Sequence, residues 1–238
     1  MSGLNQRFTK PSFLNWNREF ESHRLRNKIK LKSLMENPSE KTIETYRQNF
    51  DTYVERTPAE TSGEIKEWMD SFASHVPQNG TILEIGSASG RDARYLKNKG
   101  FKVVCTDIIP QALQKLSDEG FETAEFDFRN KPKPEWDGRF DGFFANAVLL
   151  HAPQNVFEHA LINISFTLKK NGVAAFSLKT GEGEEISSEK MDAPRYFRYH
   201  TEAEIRDIVS KLPFEIINIS HADQGKWLHV IMKNKELQ

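Results

Sequence analysis

From residue 80 onward the chain alternates short apolar runs with amphipathic stretches, and this alternation constrains the fold more than any other feature. Runs at Thr81–Ile85, Phe101–Thr106, Phe121–Phe126, Phe140–Ala147 and Val173–Leu178 have strand length and β-branched or aromatic content. Between them, Asp92–Lys99, Pro110 to about Asp118, and Val156–Leu168 carry helical periodicity. Gly100 stands where a helix needs a left-handed residue just past its end, and Pro110 suits a first helical turn. Strands alternating with helices predict an α/β fold, with a mostly parallel sheet covered on both faces. Thr201-Glu202-Ala203-Glu204 has capping-box form and opens a helix running to about Leu212. The last two strands, Phe214–Ile219 and Trp227–Met232, are joined by Ser220–Lys226. That link is too short for a helical crossover, so they should pair antiparallel.

Upstream, Ser39 is a candidate N-cap before Ile43, Tyr46, Phe50, Tyr53 and Val54, which share a helical face. A further helix is expected from Ser62 to Ala73, with Ile65, Trp68, Met69 and Phe72 inward. Residues 1–38 read as a separate helical extension, leaving 39–238 as the main domain. Residues 1–40 hold eight basic and four acidic side chains, while the whole chain of 238 residues balances 33 against 34. Phe13, Trp16 and Phe20 sit at helical spacing there. The segment is either a helix packed by those aromatics or a basic arm for RNA or an acidic partner.

Composition excludes several classes. The near-neutral balance argues against a globally basic nucleic-acid binder. Cys105 is the single cysteine, so no intrachain disulfide and no cysteine-rich zinc site can form. No apolar run is long enough for a membrane span. MSGLNQRFTK lacks an apolar signal core, which predicts a cytoplasmic protein. No tight His/Asp/Glu spacing suggests a metal.

The chemistry concentrates in Ile82-Leu83-Glu84-Ile85-Gly86-Ser87-Ala88-Ser89-Gly90-Arg91, an apolar strand, a turn of tiny residues and a helix start. Small residues let the backbone approach a ligand, and the crevice beyond the strand ends is where open α/β sheets bind one. Asp107 ends the next strand, 21 positions after Gly86. An acid there is placed to accept two hydrogen bonds from ribose hydroxyls. A dinucleotide fingerprint would put a small third residue at Arg91, which weakens the nicotinamide-oxidoreductase alternative.

The spacing E-x-G-x-(small)-x-G resembles motif I of the class I S-adenosylmethionine-dependent methyltransferases. The resemblance covers about residues 40–232 and implies a Rossmann-like, seven-stranded sheet with an antiparallel last strand. It implies an enzyme that uses S-adenosyl-L-methionine and yields S-adenosyl-L-homocysteine. Glu84 falls at the acid that organises the turn and the methionine amine. Gly86, Ala88 and Gly90 fall at the backbone cradle, Asp107 at the ribose acid, and Ile108 at the adenine-packing residue. Asp127-Phe128 ends the third strand, where the family places an acid near the adenine amine and an apolar neighbour. Asn146 falls beside the methionine moiety, and Tyr46 at an aromatic position of the covering helix. Arg91 is a candidate for the cofactor carboxylate. Ala88 departs from the usual middle glycine, and Lys170-Asn171 from the usual Pro-Gly before strand five.

His151 follows strand four and is the candidate general base, although alignment alone can drive methyl transfer. The insertion after strand five, with Arg195, Tyr196 and Tyr199, is expected to be a lid or specificity loop over the acceptor. The Asn/Asp-Pro-Pro-Tyr turn of amino-methylating relatives is absent, since the chain reads Asn146-Ala147-Val148-Leu149. A small polar acceptor leads. RNA methylation through the basic arm and a non-catalytic cofactor-binding protein are the alternatives.

Overall fold

The computed structural model describes residues 38–235, and the aromatic, basic arm expected before residue 38 lies outside them. Strands β1 (Thr81–Ile85), β2 (Lys102–Asp107), β3 (Glu122–Glu125), β4 (Phe140–Ala145) and β5 (Leu168–Thr180) pair in parallel, in the order β3-β2-β1-β4-β5. Beyond β5, β9 (Trp227–Asn234) pairs antiparallel with both β5 and β8 (Phe214–Ala222). These seven strands form the expected sheet, with the last strand reversed. Side chains alternate across it: Leu83 and Ile85 enter one core and Ile82 the other.

Helix α3 (Gly63–His75) buries Trp68, Met69 and Phe72 on the Ile82 face, with α4 (Arg91–Asn98) and α5 (Pro110–Asp118) contributing Leu96 and Leu116. Helices α6 (Gln154–Thr167) and α7 (Glu202–Ser210) cover the other face through Phe157, Leu161, Ile205 and Val209. No helix among the described residues is long and apolar enough to cross a membrane.

Four local expectations change. The insertion after β5 is a hairpin, β6 (Glu184–Ser187) and β7 (Arg195–His200), whose second strand runs parallel to the end of β5. It extends the sheet to nine strands, because the end of β5 offers backbone groups that β7 pairs. Strand β4 stops at Ala145, since Ala147 takes a positive φ of 58° and turns the chain away. Ser39 lies inside α1 (Pro38–Gln48), and its hydroxyl donates to the His151 carbonyl at 3.1 Å instead of capping. Only half of the capping box forms: Thr201 Oγ1 accepts from Glu204 N at 3.1 Å, while the Glu204 carboxylate accepts from Arg198 at 2.6 Å.

The strand order reverses between β1 and β4, and α1 and α2 (Phe50–Glu55) lie across the carboxyl ends there. Gly90 caps α4 at φ 80°, and Leu116 of α5 fills the space that a Cβ would need. Gly90→Ala therefore adds left-handed strain to overpacking, and unfolding free energy should fall by about 2–4 kcal/mol. Urea denaturation tests this; an unchanged midpoint would show that the turn can be rebuilt without cost.

Candidate functional site

The turn after β1 is held from the next strand. Gly86 and Ala88 both have positive φ, at 68° and 46°. Asp107, at the end of β2, accepts from Ala88 N through Oδ2 at 2.9 Å, and from Ile108 N and Ile109 N through Oδ1 at 2.7 and 3.0 Å. Burial pushes its pKa up, and these three N–H groups oppose that. A carboxylate offers about four lone-pair positions. Three are used by the backbone, so Asp107 has room for one further donor rather than the two expected.

Glu84, on β1 beneath the turn, is buried, and its Oε2 has no hydrogen-bond partner. Burial, then the nearby charge of Asp92, pushes its carboxyl up to about 8. A buried carboxylic acid with a free oxygen is suited to a cationic donor.

A polar network joins α4 to β4 and β5. Asp92 receives Arg91 Nε at 2.7 Å and Nη2 at 2.9 Å, Thr61 Oγ1 at 3.2 Å and Asn146 Nδ2 at 2.9 Å. Ser177 Oγ donates to Asn146 Oδ1 and accepts from Ala147 N, each at 2.8 Å. Asn146 is thus locked in one orientation, and two of Arg91's nitrogens are committed to Asp92. Sequence reading missed Asp92 and Ser177. An acid in a first helical turn is ordinary, so it carries no signal of its distant partners.

His151 has both ring nitrogens engaged. Nδ1 faces the Tyr196 carbonyl at 2.6 Å, and a carbonyl only accepts, so Nδ1 carries the proton. Nε2 then accepts from the Tyr46 hydroxyl at 3.1 Å, and that oxygen receives Arg195 Nη1 at 3.3 Å. Burial lowers the His151 pKa to about 4. A neutral ring with no open nitrogen is poorly placed as the general base the sequence suggested. Its geometry instead ties α1 to the hairpin: Tyr46 and Ser39 on one side, Tyr196 on the other.

Two cavities meet at Tyr46, Tyr53, Asn146, Ala147 and His151. The first is a slot of about 100 Å³ whose walls include Gly86, Ala88, Asp107, Ile108 and Phe128. Asp127 also lines it, but both its oxygens are taken by Arg129, at 2.5–2.9 Å, and Arg129 reaches Glu40 of α1 at 2.7 Å. The second cavity, about 510 Å³, is walled by Arg91, Lys179, Lys190, Arg195, Phe197 and Trp227, among others. Of the acceptor candidates, Arg195 reaches it. Tyr196 and Tyr199 do not line it, and Tyr196 contributes its backbone, whose N–H contacts Thr42 Oγ1 at 2.8 Å. Glu84 and Gly90 lie behind the lining rather than in it.

Residues 83–174 match the methyltransferase-domain family. No curated protein sequence matches the chain. Among solved structures, the chain resembles the Burkholderia thailandensis 1,6-didemethyltoxoflavin-N1-methyltransferase, with bound 1,6-didemethyltoxoflavin and S-adenosylhomocysteine, at TM-score 0.65 and 16% identity over 86% of this chain and 90% of that one. A Methanosarcina mazei SAM-dependent methyltransferase gives TM-score 0.58 and 16% identity over 68% and 95%. A Rhodobacter sphaeroides protein described as a Zn-dependent alcohol dehydrogenase gives 0.62 and 10% over 74% and 92%. At such identities these structures speak to the fold alone, and a fold hosts more than one chemistry. The sheet order and the motif I turn with Asp107 behind it agree with the methyltransferase-domain match, which runs from β1 into β5 and covers residues 83–174.

Proposed function

We propose that this chain is an S-adenosylmethionine-dependent methyltransferase that acts on a small polar acceptor held in the second cavity. The observation that carries this reading is the junction, at Tyr46, Asn146 and His151, of a narrow apolar slot and a roomier cavity that has Arg91, Lys179, Lys190 and Arg195 among its walls. The residues fit the cofactor. Ile108 and Phe128 give the slot apolar walls, Asp107 keeps one acceptor position, and the Glu84 oxygen lacks a partner. S-adenosylmethionine supplies a methyl group activated by a sulfonium.

The chain's own task is then alignment. Asp92 and Ser177 fix Asn146 at the junction, and Ala147, at positive φ, keeps the backbone there out of β4. His151 acts as a positioning residue. It orients the Tyr46 hydroxyl toward the junction and pins α1 against β7. Arg195 holds the same hydroxyl from the acceptor side. The B. thailandensis neighbour, solved with 1,6-didemethyltoxoflavin and S-adenosylhomocysteine bound, supports a small acceptor over RNA.

Thermal unfolding with S-adenosylmethionine, S-adenosylhomocysteine and NAD in parallel tests the cofactor. A ligand at 100 times its Kd adds about 2.7 kcal/mol, or roughly 5–10 °C for a domain of this size. The expected result is a shift with the two sulfur nucleosides and none with NAD. A shift with NAD alone would overturn the assignment. Turnover to S-adenosylhomocysteine with any small acceptor separates an enzyme from a binding protein.

A further inference from the structure

We propose that the acceptor carries an oxyanion, a carboxylate or phosphate, bound in the second cavity by Arg195, Lys190 and Lys179. The proposal rests on the reading of that cavity as the acceptor site. All three side chains line it, and none forms an ion pair with a carboxylate among the described residues.

Arg195 is the strongest witness. It is 5% exposed, its Nε has no partner, and its one polar contact is the Tyr46 hydroxyl at 3.3 Å. Buried charges are ordinarily paired, because desolvation is costly without a counter-charge. A guanidinium is planar and presents a fork of donors that matches an oxyanion.

The two lysines repeat the pattern. Lys190 Nζ donates to the neutral Thr57 hydroxyl at 2.8 Å and lies 4.3 Å from the centre of the Tyr53 ring. Lys179 Nζ lies 4.5 Å from the centre of the Phe197 ring and 5.6 Å from that of Tyr199. Aromatic faces hold a cation without consuming its charge. Burial, followed by repulsion from Arg195 and Arg91, lowers the Lys190 pKa to about 8, as expected where cations crowd without an anion.

The remaining charged groups of the lining do not neutralise the three. Arg91 is spent on Asp92. Glu64 accepts from Asp223 N at 2.8 Å, and Asp223 pairs with Lys226 at 3.3 Å. Glu189 is exposed. His151 and His229 are both neutral, their pKa values lowered to about 4 by burial. The cavity therefore keeps a positive inner wall with an acidic rim. That arrangement accepts an anion attached to a body small enough for about 510 Å³.

The test uses the full chain saturated with S-adenosylhomocysteine. Acetate, inorganic phosphate and chloride are titrated at constant ionic strength while thermal unfolding is followed. Acetate or phosphate should give a saturating rise that chloride does not, and the stronger of the two tells which oxyanion the site prefers. Lys190→Gln and Lys179→Gln alter partly exposed side chains and should leave the fold intact. Each should weaken the preferred anion by about tenfold or more, the worth of one charge-assisted hydrogen bond. Arg195→Lys keeps the charge but loses the fork, and should weaken the anion as well.

A linear rise with no saturation, or one of equal size in all variants, is a general salt effect and overturns the proposal. The S-adenosylhomocysteine shift itself is read before any anion is added. Its loss would count against the methyltransferase reading, whereas a normal shift without anion saturation would count against the oxyanion alone.

Discussion

Glu84→Gln is expected to stabilise the ligand-free protein above pH 8 and to weaken S-adenosylhomocysteine binding at the same time. The Glu84 carboxyl sits near 4.5 in an unfolded chain and is pushed up to about 8 in the fold by burial, reinforced by Asp92 and Asp107 and opposed by Ser87 and Arg91. Its folded value is raised, so its contribution is whole below about pH 4.5 and declines as pH rises through 8. The loss over that window is on the order of 4–5 kcal/mol. Glutamine has nothing to ionise and removes this slope. Under the proposed role, binding opens the slot's lining enough for the ligand's amino group to reach the free Glu84 oxygen behind it, which favours the carboxylate. Binding below pH 8 should then release a proton, and affinity should climb by up to about tenfold per pH unit before levelling. The variant loses one charge-assisted contact, about 1.5–3 kcal/mol or roughly 10–150-fold in Kd. Denaturation from pH 5 to 9, with calorimetry in two buffers of different ionisation heat, checks both halves. An identical pH slope in wild type and variant, or binding without proton release, would remove Glu84 from the role.

Asp107→Ala should be the most disruptive substitution in the slot. It leaves Ala88, Ile108 and Ile109 N–H groups without their acceptor, at the turn after β1 and at the start of α5 together. A stability loss of about 3 kcal/mol or more is expected, since each buried unsatisfied donor costs about 1–3 kcal/mol. Ligand affinity should fall by a further 1–3 kcal/mol or so through the lost ribose contact. Asp107→Asn separates the two effects. Its carbonyl oxygen can still accept from Ile108 and Ile109, while its amide group meets the Ala88 N–H donor to donor. Its stability should lie between wild type and alanine, with binding still impaired. Unchanged affinity in a folded asparagine variant would show that Asp107 serves the turn alone.

Much of the sheet is legible in the sequence because its rules are short-ranged. Alternation over five or six residues places Ile82 and Leu83 on opposite faces of β1. The expected link Ser220–Lys226 is too short for a crossover, and β8 and β9 do pair antiparallel, with only residues 223–226 between them. Gly86, Ala88 and Gly90 mark a turn through positive φ, which is also a local property. The hairpin β6–β7 was less legible. Arg195–His200 is rich in strand formers, yet its partner Glu184–Ser187 is mostly polar, and polar runs read as loop.

The site shows the same division. Glu84, Gly86, Asp107 and Ile108 stand at strand ends, so motif spacing alone could find them. Tyr46 meets His151 across 105 positions and Arg195 across 149, and Asn146 meets Asp92 across 54. No periodicity spans such distances. His151 looked like an open base because its flanking residues are loop-like; its real environment is supplied by α1 and β7, which burial then makes apolar enough to keep the ring neutral. Lys179, Lys190 and Arg195 are ordinary surface residues by composition, and only the hairpin folding back over the end of β5 turns them inward together. The sequence by itself determined the sheet order's raw material, the motif turn and the acid at the end of β2, since backbone conformation and strand alternation act between near neighbours. The tertiary structure decided which charges lose their water and which partners they find, because desolvation and pairing depend on elements that meet only once the chain has closed.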